Sequence, residues 1–143
     1  MIQYPIQFFG QSDAGPGIQK SWSTEASGFA VNCSVPKEFE GDGTFNSPED
    51  FFLLAVQNCF VATFKVYAHY SKLVYEQLSI TSELEVNKTE SGSTLMKSVS
   101  LKITLSGVKD EKKAKLLVDK TLAQGFIIQS VKSEIKSQVT ILT

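Results

Sequence analysis

The stretch NSPEDFFLLAVQNCF, Asn46 to Phe60, begins with the residues of a helix cap, continues as an apolar segment and contains a cysteine, Cys59. Ser47 can cap the helix with its hydroxyl, and Pro48 suits the first helical position. The two acids that follow face the positive end of the helix dipole. From Phe51 to Ala68 apolar residues occupy nearly every side, which is typical of a helix buried on most faces. The sequence therefore predicts a long buried helix that begins at Ser47.

Two segments after this helix alternate apolar and polar residues and predict an antiparallel hairpin. They are LSITSELEV, residues 78–86, and SVSLKITL, residues 98–105, and the polar segment NKTESGST joins them. A period of two over this length is typical of half-buried strands. The first strand places these apolar residues on one face, with Ser82 interrupting: Leu78, Ile80, Leu84 and Val86.

The remaining segments complete an α+β pattern. KDEKKAKLLVDKTLAQG, residues 109–125, has helical spacing, and Gly125 is placed to end that helix. A last strand is expected from about Ser133 to Leu142. Near the N-terminus, the segments IQYPIQFF, SWSTEA and GFAVNCSV predict short strands separated by glycine and proline turns. This order predicts an α+β fold with helices on one side of antiparallel sheet.

Length, charge and hydropathy exclude several classes of protein. A chain of 143 residues is expected to form one domain, residues 1–143. The net charge is −1 and all 14 basic residues are lysines, whereas nucleic-acid binders usually carry a basic face rich in arginine. The longest apolar run, residues 51–56, is far shorter than the roughly 18 residues of a membrane span, and the N-terminus lacks a signal-peptide pattern. We expect a cytoplasmic protein that binds neither nucleic acid nor membrane.

The apolar helix also predicts a partner. One sheet can shield only one face of a helix, and a domain of this size has little else with which to cover the others. We therefore expect a second copy of the chain to cover the rest, as in a homodimer.

The residues that could carry chemistry are few. His69 is the only histidine, and Cys33 and Cys59 are far apart in the chain, so no metal site is expected. No phosphate-binding loop or dinucleotide motif is present, so no cofactor is expected. A Ser-His-Asp triad would have to use His69, which lies near the end of the buried helix. Thiol chemistry at Cys59 remains, beside the alternative that this cysteine only packs in a core. The polar group Gln57-Asn58-Cys59 interrupts the apolar helix and indicates a turn that faces a cavity or an interface.

The helix start and its cysteine resemble the signature of the OsmC/Ohr family, the osmotically induced and organic hydroperoxide resistance proteins. That signature has Pro-Glu at a helix start and a cysteine ten positions after the glutamate, which is the spacing of Glu49 and Cys59. The preceding VPKEFEGDG is similar to the proline and glycine approach to this helix in the family. The order of the predicted elements also agrees along the whole chain.

This resemblance implies an OsmC-like fold, an intertwined homodimer and active sites between its subunits. It implies a peroxidatic cysteine at Cys59 and a tuning glutamate at Glu49. Two further residues of the family do not carry over. The second, resolving cysteine corresponds to Gly125 or Phe126, and no cysteine follows Cys59. The arginine is absent, and Lys20 is the nearest substitute, although lysine cannot grip a carboxylate through two bonds.

Three functions are compatible with these residues. Glu49 and Cys59 lie about 15 Å apart along one continuous helix, so they can form one site only across a dimer. The first function is a one-cysteine peroxidase, in which a hydroperoxide oxidises Cys59 and an external thiol reduces it. The second is a binding protein that holds an acyl or aromatic molecule in an apolar pocket at the dimer interface. The third is a structural dimer. The sequence does not name the substrate, the reductant or the roles of Cys33, Lys20 and His69.

Overall fold

The computed structural model describes all 143 residues, which divide into two compact units, Met1–Phe51 and Phe52–Thr143. A long helix, α1 (Pro48–Tyr70), begins in the first unit and continues in the second. The expectation of one domain over residues 1–143 stays a prediction.

The first unit contains a three-stranded antiparallel sheet. Its strands are β1 (Gly10–Asp13), β2 (Trp22–Ala26) and β3 (Phe29–Cys33), paired in that order. Ser27 and Gly28 join β2 to β3 with positive φ angles of 47° and 87°, the backbone of a tight hairpin turn that suits glycine. A short 3₁₀ helix, Lys37–Phe39, follows the sheet.

The segment IQYPIQFF does not form the first strand that its composition predicted. Strand β1 begins at Gly10, directly after this segment, and residues 2–9 have exposed side chains. Pro5 lacks the N–H that the hydrogen-bond ladder of a sheet requires. No side chain of the segment is buried, so burial does not stabilise an extended strand here.

Helix α1 begins where the sequence predicted. The Ser47 hydroxyl accepts a hydrogen bond from the Asp50 amide at 3.2 Å, and the Asp50 carboxylate accepts one from the Ser47 amide at 2.9 Å. This reciprocal cap gives the Ser47 amide an acceptor and gives the Asp50 amide a second acceptor beside the Ser47 carbonyl, at 3.1 Å.

Helix α1 is buried on one face within the chain, not on most faces as the sequence predicted. Its buried residues are Val56, Cys59, Phe60, Phe64 and Ala68. The opposite face exposes a row of residues at a spacing of four: Leu54, Asn58, Ala62, Val66 and Tyr70. The elements of one chain cover only one side of this helix.

By length and composition alone, α1 is also a candidate membrane span, with a mean hydropathy of 1.5 over its most apolar 18 residues. A core helix of a soluble protein meets the same criterion. Phe60 and Phe64 have no exposed area and belong to the hydrophobic core of the second unit, and 28% of the window as a whole is buried within the chain.

The second unit has a three-stranded mixed sheet and two further helices. Strands β4 (Gln77–Lys88) and β5 (Thr94–Ser106) form the predicted antiparallel hairpin, and β6 (Glu134–Ile141) lies parallel to β5. The helices α2 (Glu111–Gln124) and α3 (Phe126–Ser130) lie between β5 and β6 in the chain. A parallel pair needs such a crossover connection. The α+β class is confirmed, and the sheet is mixed because β6 runs parallel.

One residue of the predicted hairpin leaves its face. Val86 is 38% exposed, whereas Leu78, Ile80 and Leu84 pack against the core. The pairing register shifts between Glu85 and Val86, and such a bulge changes the direction in which the following side chains point.

Helix α2 begins and ends as predicted. The Asp110 side chain caps it by accepting from the Lys113 amide at 2.9 Å, and Gly125 follows its last residue. Gly125 has φ −58° and ψ 129°, so it ends the helix in extended backbone, and α3 begins at the next residue. The sequence did not predict α3. The core of this unit is formed by buried residues from α1, β5, α2 and α3 with the loops beside them: Val56, Cys59, Phe60, Phe64, Ala68, Leu73, Val99, Leu101, Ile103, Leu105, Val108, Ala114, Leu117, Val118 and Ile128.

Candidate functional site

Cys59 lies on the buried face of α1 and is 9% exposed. The next residue, Phe60, is fully buried and stacks on Phe64, with ring centroids 5.9 Å apart and planes inclined by 8°. The thiol is free, as is that of Cys33. The helix therefore presents the sulfur at an apolar part of the core that keeps a small opening to solvent.

Gly125 faces the sulfur of Cys59. A Cβ atom built on Gly125 would lie 3.0 Å from Cys59 Sγ, 3.2 Å from Ile128 Cδ1 and 3.3 Å from the Thr121 carbonyl oxygen. Phe126, the other position that corresponds to the family's second cysteine, is 78% exposed. Sequence reasoning named both positions, and the structure brings Gly125 to Cys59.

The polar break in α1 has two separate causes. The Ser82 hydroxyl of β4 donates a hydrogen bond to the Gln57 side chain at 2.5 Å, so these two polar interruptions satisfy each other. Asn58 is exposed and donates to the Leu54 carbonyl of its own helix at 2.9 Å. The hydrogen bond to Ser82 therefore explains Gln57 without a cavity or an interface. For the exposed Asn58, it stays a prediction that this turn faces a cavity or an interface.

Glu49 lies in the first turn of α1, ten residues before Cys59 on the same helix. That separation corresponds to about 15 Å along the axis. The Oε2 atom of Glu49 is buried and has no hydrogen-bond partner in the chain. A buried acceptor without a partner costs on the order of 1–3 kcal/mol of stability. The Oε2 atom of Glu49 is such an acceptor.

The other residues considered in the sequence have different surroundings. Cys33 is 3% exposed, and burial raises the pKa of its thiol. His69 is exposed and contacts Tyr70 edge to face, with centroids 5.2 Å apart. Lys20 is exposed, and its amide donates to the Gly17 carbonyl at 3.1 Å. No three histidine, cysteine, aspartate or glutamate side chains cluster as a metal site would require.

A polar cluster on α1 and α2 was not predicted. The Tyr67 hydroxyl donates to the Gln124 side chain at 2.8 Å, and Lys120 Nζ lies 4.4 Å from the centre of the Tyr67 ring. Tyr67 follows Cys59 by two turns on α1, and Gln124 precedes Gly125. These contacts join α1 to α2 near the candidate thiol and hold the end of α2 in place. Lys120 and Gln124 are four residues apart, so the sequence indicates that they share one face of α2. It does not indicate that Tyr67 of α1 contacts both of them.

Comparisons with known proteins found one family model, one curated relative and several solved structures that resemble this chain. The sequence model of the OsmC-like proteins matches residues 41–140. The uncharacterised protein YmaD of Bacillus subtilis is 32% identical over 83 residues, which are 57% of this chain and 55% of that protein. The match thus spans about half the length of this curated relative.

Two solved structures from Vibrio cholerae have the same fold. An OsmC-like protein of unknown function superposes with a TM-score of 0.81 at 16% identity, over 95% of this chain and 100% of that one. A protein assigned to organic hydroperoxide resistance, with captopril bound in one of its active sites, superposes with a TM-score of 0.73 at 25% identity. That superposition covers 97% of this chain and 93% of the other.

Proposed function

This chain belongs to the OsmC family, and from that membership we propose that it is a thiol-dependent peroxidase that reduces organic hydroperoxides through Cys59. The observation that carries the proposal is the position of Cys59, which α1 holds beside an apolar core with its sulfur facing Gly125. The relative from Vibrio cholerae that is assigned to organic hydroperoxide resistance supports the same chemistry.

The reaction needs two half-steps with balanced atoms. The thiolate of Cys59 attacks the outer oxygen of a hydroperoxide, the O–O bond breaks, and the alcohol leaves with a proton. Cys59 becomes a sulfenic acid. No cysteine follows Cys59 in the chain, and Gly125 occupies the position that faces it. Two molecules of an external thiol therefore reduce the sulfenic acid to the thiol, with release of water and a disulfide. The reaction uses no metal and no organic cofactor.

The surroundings of Cys59 favour an organic hydroperoxide. Phe60, which follows Cys59 on α1, and Ile128, which packs beside Gly125, are both buried, and the turn after Gly125 exposes Phe126 and Ile127. Apolar side chains at a binding site gain free energy when they cover an alkyl or aryl group, and they gain little from hydrogen peroxide.

The active form is a homodimer. The exposed row on α1 is apolar at Leu54, Ala62 and Val66, and a second copy covers it. In the dimer, Glu49 of one copy approaches Cys59 of the other, and its unpaired Oε2 gains a donor there. Lys20 is the candidate for the cation that arginine supplies in the family. A cytoplasmic location would keep the required thiol reduced.

Hydroperoxide consumption tests this function. The native protein, with dithiothreitol as reductant, is expected to consume cumene hydroperoxide faster than hydrogen peroxide, and mass spectrometry is expected to find sulfenic acid on Cys59. The variant Cys59→Ser should have only the background rate, and the control Cys33→Ser should keep the native rate. Equal rates for the native protein and Cys59→Ser, with Cys59 unoxidised, would contradict the proposal.

A binding function is the second candidate. The chain lacks both the second cysteine and any arginine, and the Vibrio cholerae relative holds captopril in one of its active sites. If the site only binds, an aromatic probe such as 1-anilinonaphthalene-8-sulfonate will bind the native protein and Cys59→Ser equally, and no hydroperoxide will be consumed.

A further inference from the structure

Gly125 and the start of α3 cover the sulfur of Cys59. A Cβ atom built on Gly125 would lie 3.0 Å from Cys59 Sγ and 3.2 Å from Ile128 Cδ1, so Cys59 and Ile128 both pack against this glycine. Cys59 is 9% exposed and Ile128 is 7% exposed. The atoms around Gly125 leave no room there for a second molecule. A substrate that approaches Cys59 from this side must therefore displace them.

The segment that covers the sulfur, residues 125–130, is held to the core by few side chains. It consists of Gly125 and the five residues of α3, of which Ile128 is the only one that is buried. The other four have exposed side chains: Phe126, Ile127, Gln129 and Ser130. A segment with few buried apolar contacts opens at a lower free energy than the core does.

The hydrogen bonds of this segment stay within it or join it to α2. The Gln129 amide donates to the Gly125 carbonyl at 2.9 Å, and the Ser130 hydroxyl donates to the Phe126 carbonyl at 2.6 Å. The Gly125 amide donates to the Thr121 carbonyl at 3.0 Å. No hydrogen bond joins residues 125–130 to α1 or to a strand, so the segment can leave Cys59 without losing one to either.

The residues on both sides of the segment are fixed. Before it, the Tyr67 hydroxyl donates to the Gln124 side chain at 2.8 Å, which joins the last turn of α2 to α1. After it, Ser133 is 8% exposed, and its hydroxyl donates to the Met96 carbonyl of β5 at 2.5 Å. Gly125 is extended backbone between two helices, a place at which the direction of the chain can change. These contacts limit a movement to the residues between them.

We propose that residues 125–130 form a lid over Cys59 that opens as a unit and admits the hydroperoxide, with Ile128 as the side chain that holds it closed. This inference rests on the proposed function, which requires a substrate to reach the sulfur. Exposure of one isoleucine would leave the lid open in on the order of one molecule in a hundred. Global unfolding exposes the same thiol in about one molecule in a thousand or fewer. Opening of the lid is therefore the more populated route to Cys59.

Labelling of the Cys59 thiol in the native protein tests the lid. The reduced protein reacts with N-methylmaleimide or with N-phenylmaleimide at increasing urea below the unfolding transition, and peptide mass spectrometry separates Cys59 from Cys33. Each rate is divided by the rate for the urea-unfolded chain, which removes the intrinsic reactivity of the reagent. Opening of a lid exposes little surface, so we expect rates that stay nearly constant with urea. We also expect the same protection factor for both reagents.

Two results would overturn the proposal. Labelling of Cys59 that follows global unfolding at every urea concentration would mean that the segment does not open by itself. Protection against N-phenylmaleimide that exceeds protection against N-methylmaleimide at least about tenfold would mean that reagents enter through a fixed narrow opening, because a common opening step protects against both equally.

Two isoleucine substitutions separate the lid from the core. Ile128→Ala should raise the rate of Cys59 labelling at low urea at least about tenfold, because it removes the side chain that holds the lid closed. Ile103→Ala is the matched control. Ile103 is 1% exposed on β5 and lies seven residues from Met96, or about 23 Å along the strand. It should lower the stability of the core but leave labelling at low urea unchanged.

Equal acceleration in the two alanine variants would show that labelling reports loss of global stability, and the lid would be refuted. Where an alanine variant does not fold, Ile128→Val and Ile103→Val give the same comparison. About a threefold increase is then expected for Ile128→Val alone.

The maleimide reactions need no peroxide, so they separate the lid from the peroxidase function. If Cys59 is labelled as expected but the native protein consumes no hydroperoxide, the lid stands and the proposed function fails. If hydroperoxide is consumed through Cys59 while labelling follows global unfolding, the lid fails alone. Where both hold, Ile128→Ala should raise the rate of Cys59 oxidation by cumene hydroperoxide by the same factor as its labelling. An unchanged oxidation rate would overturn the lid as the route of the substrate.

Discussion

At the scale of single residues, the candidate thiol site consists of Cys59 on α1 and Gly125 at the end of α2, because the sulfur of Cys59 faces Gly125. The helix start and the spacing of Glu49 and Cys59 predicted the cysteine on which the proposal depends. The resemblance to the family gave Gly125 or Phe126 as the position that corresponds to its second cysteine, and the sequence did not decide between them. The choice depends on how α1 and the end of α2 pack, across about 65 residues of chain, and no local pattern records such a contact.

The geometry at Gly125 predicts that a second cysteine can be restored. In Gly125→Cys, the new Cβ would already lie 3.0 Å from Cys59 Sγ, so mild oxidation should join Cys59 to the introduced cysteine in a disulfide without movement of the backbone. Closing a loop of this length should stabilise the chain against urea by ~2–4 kcal/mol. Thiol titration of the oxidised, denatured protein should find one free thiol, that of Cys33. The double variant Cys59→Ser/Gly125→Cys is the control, and retention of all thiols in Gly125→Cys after oxidation would refute the prediction.

Among helices and strands, local signals predicted what depends on neighbouring residues. The caps of α1 and α2 and the β4–β5 hairpin were predicted because their contacts join residues close in sequence. The parallel pairing of β6 and the short helix α3 were missed, since both depend on the crossover that returns the chain to β5. The predicted strand at residues 2–9 was wrong. Its apolar composition suits a strand, but its side chains are exposed and pack against no other part of the chain.

The cap of α1 makes a measurable contribution to stability. Ser47→Ala removes the hydroxyl that accepts from the Asp50 amide and donates to the Asp50 carboxylate at 3.1 Å. Loss of such a cap should lower the free energy of unfolding in urea by about 1 kcal/mol. Ser47→Thr, which keeps a hydroxyl, is the matched control and should stay within a few tenths of a kcal/mol of the native value. An equal loss of stability in both variants would mean that the hydroxyl is not what stabilises the helix start.

For the chain as a whole, the exposed face of α1 is an apolar surface that one chain leaves uncovered. Twenty-three residues of apolar helix bury one face and leave Leu54, Val66 and Tyr70 exposed. A stable protein interface of standard size buries about 1,200–2,000 Å² and has an apolar centre. The sequence indicated that α1 needs a partner, because it has more apolar faces than one sheet can shield. It could not indicate the geometry of that partner, which depends on the surface of a second copy.

The dimer predicts different outcomes for two similar substitutions. Val66 on α1 is 51% exposed and Leu116 on α2 is 67% exposed, so a lysine at either position should leave the fold of the chain intact. Val66→Lys places an unpaired charge in the proposed interface, and desolvation of that charge should shift the protein from dimer to monomer in sedimentation velocity. Leu116→Lys lies on another helix and should remain a dimer. If Glu49 of one copy serves Cys59 of the other, Val66→Lys should also lose hydroperoxide reduction in proportion to its loss of dimer, with recovery at higher protein concentration. A Val66→Lys protein that stays dimeric would contradict the proposed interface on α1, and a monomer that keeps full activity would place the active site within one chain.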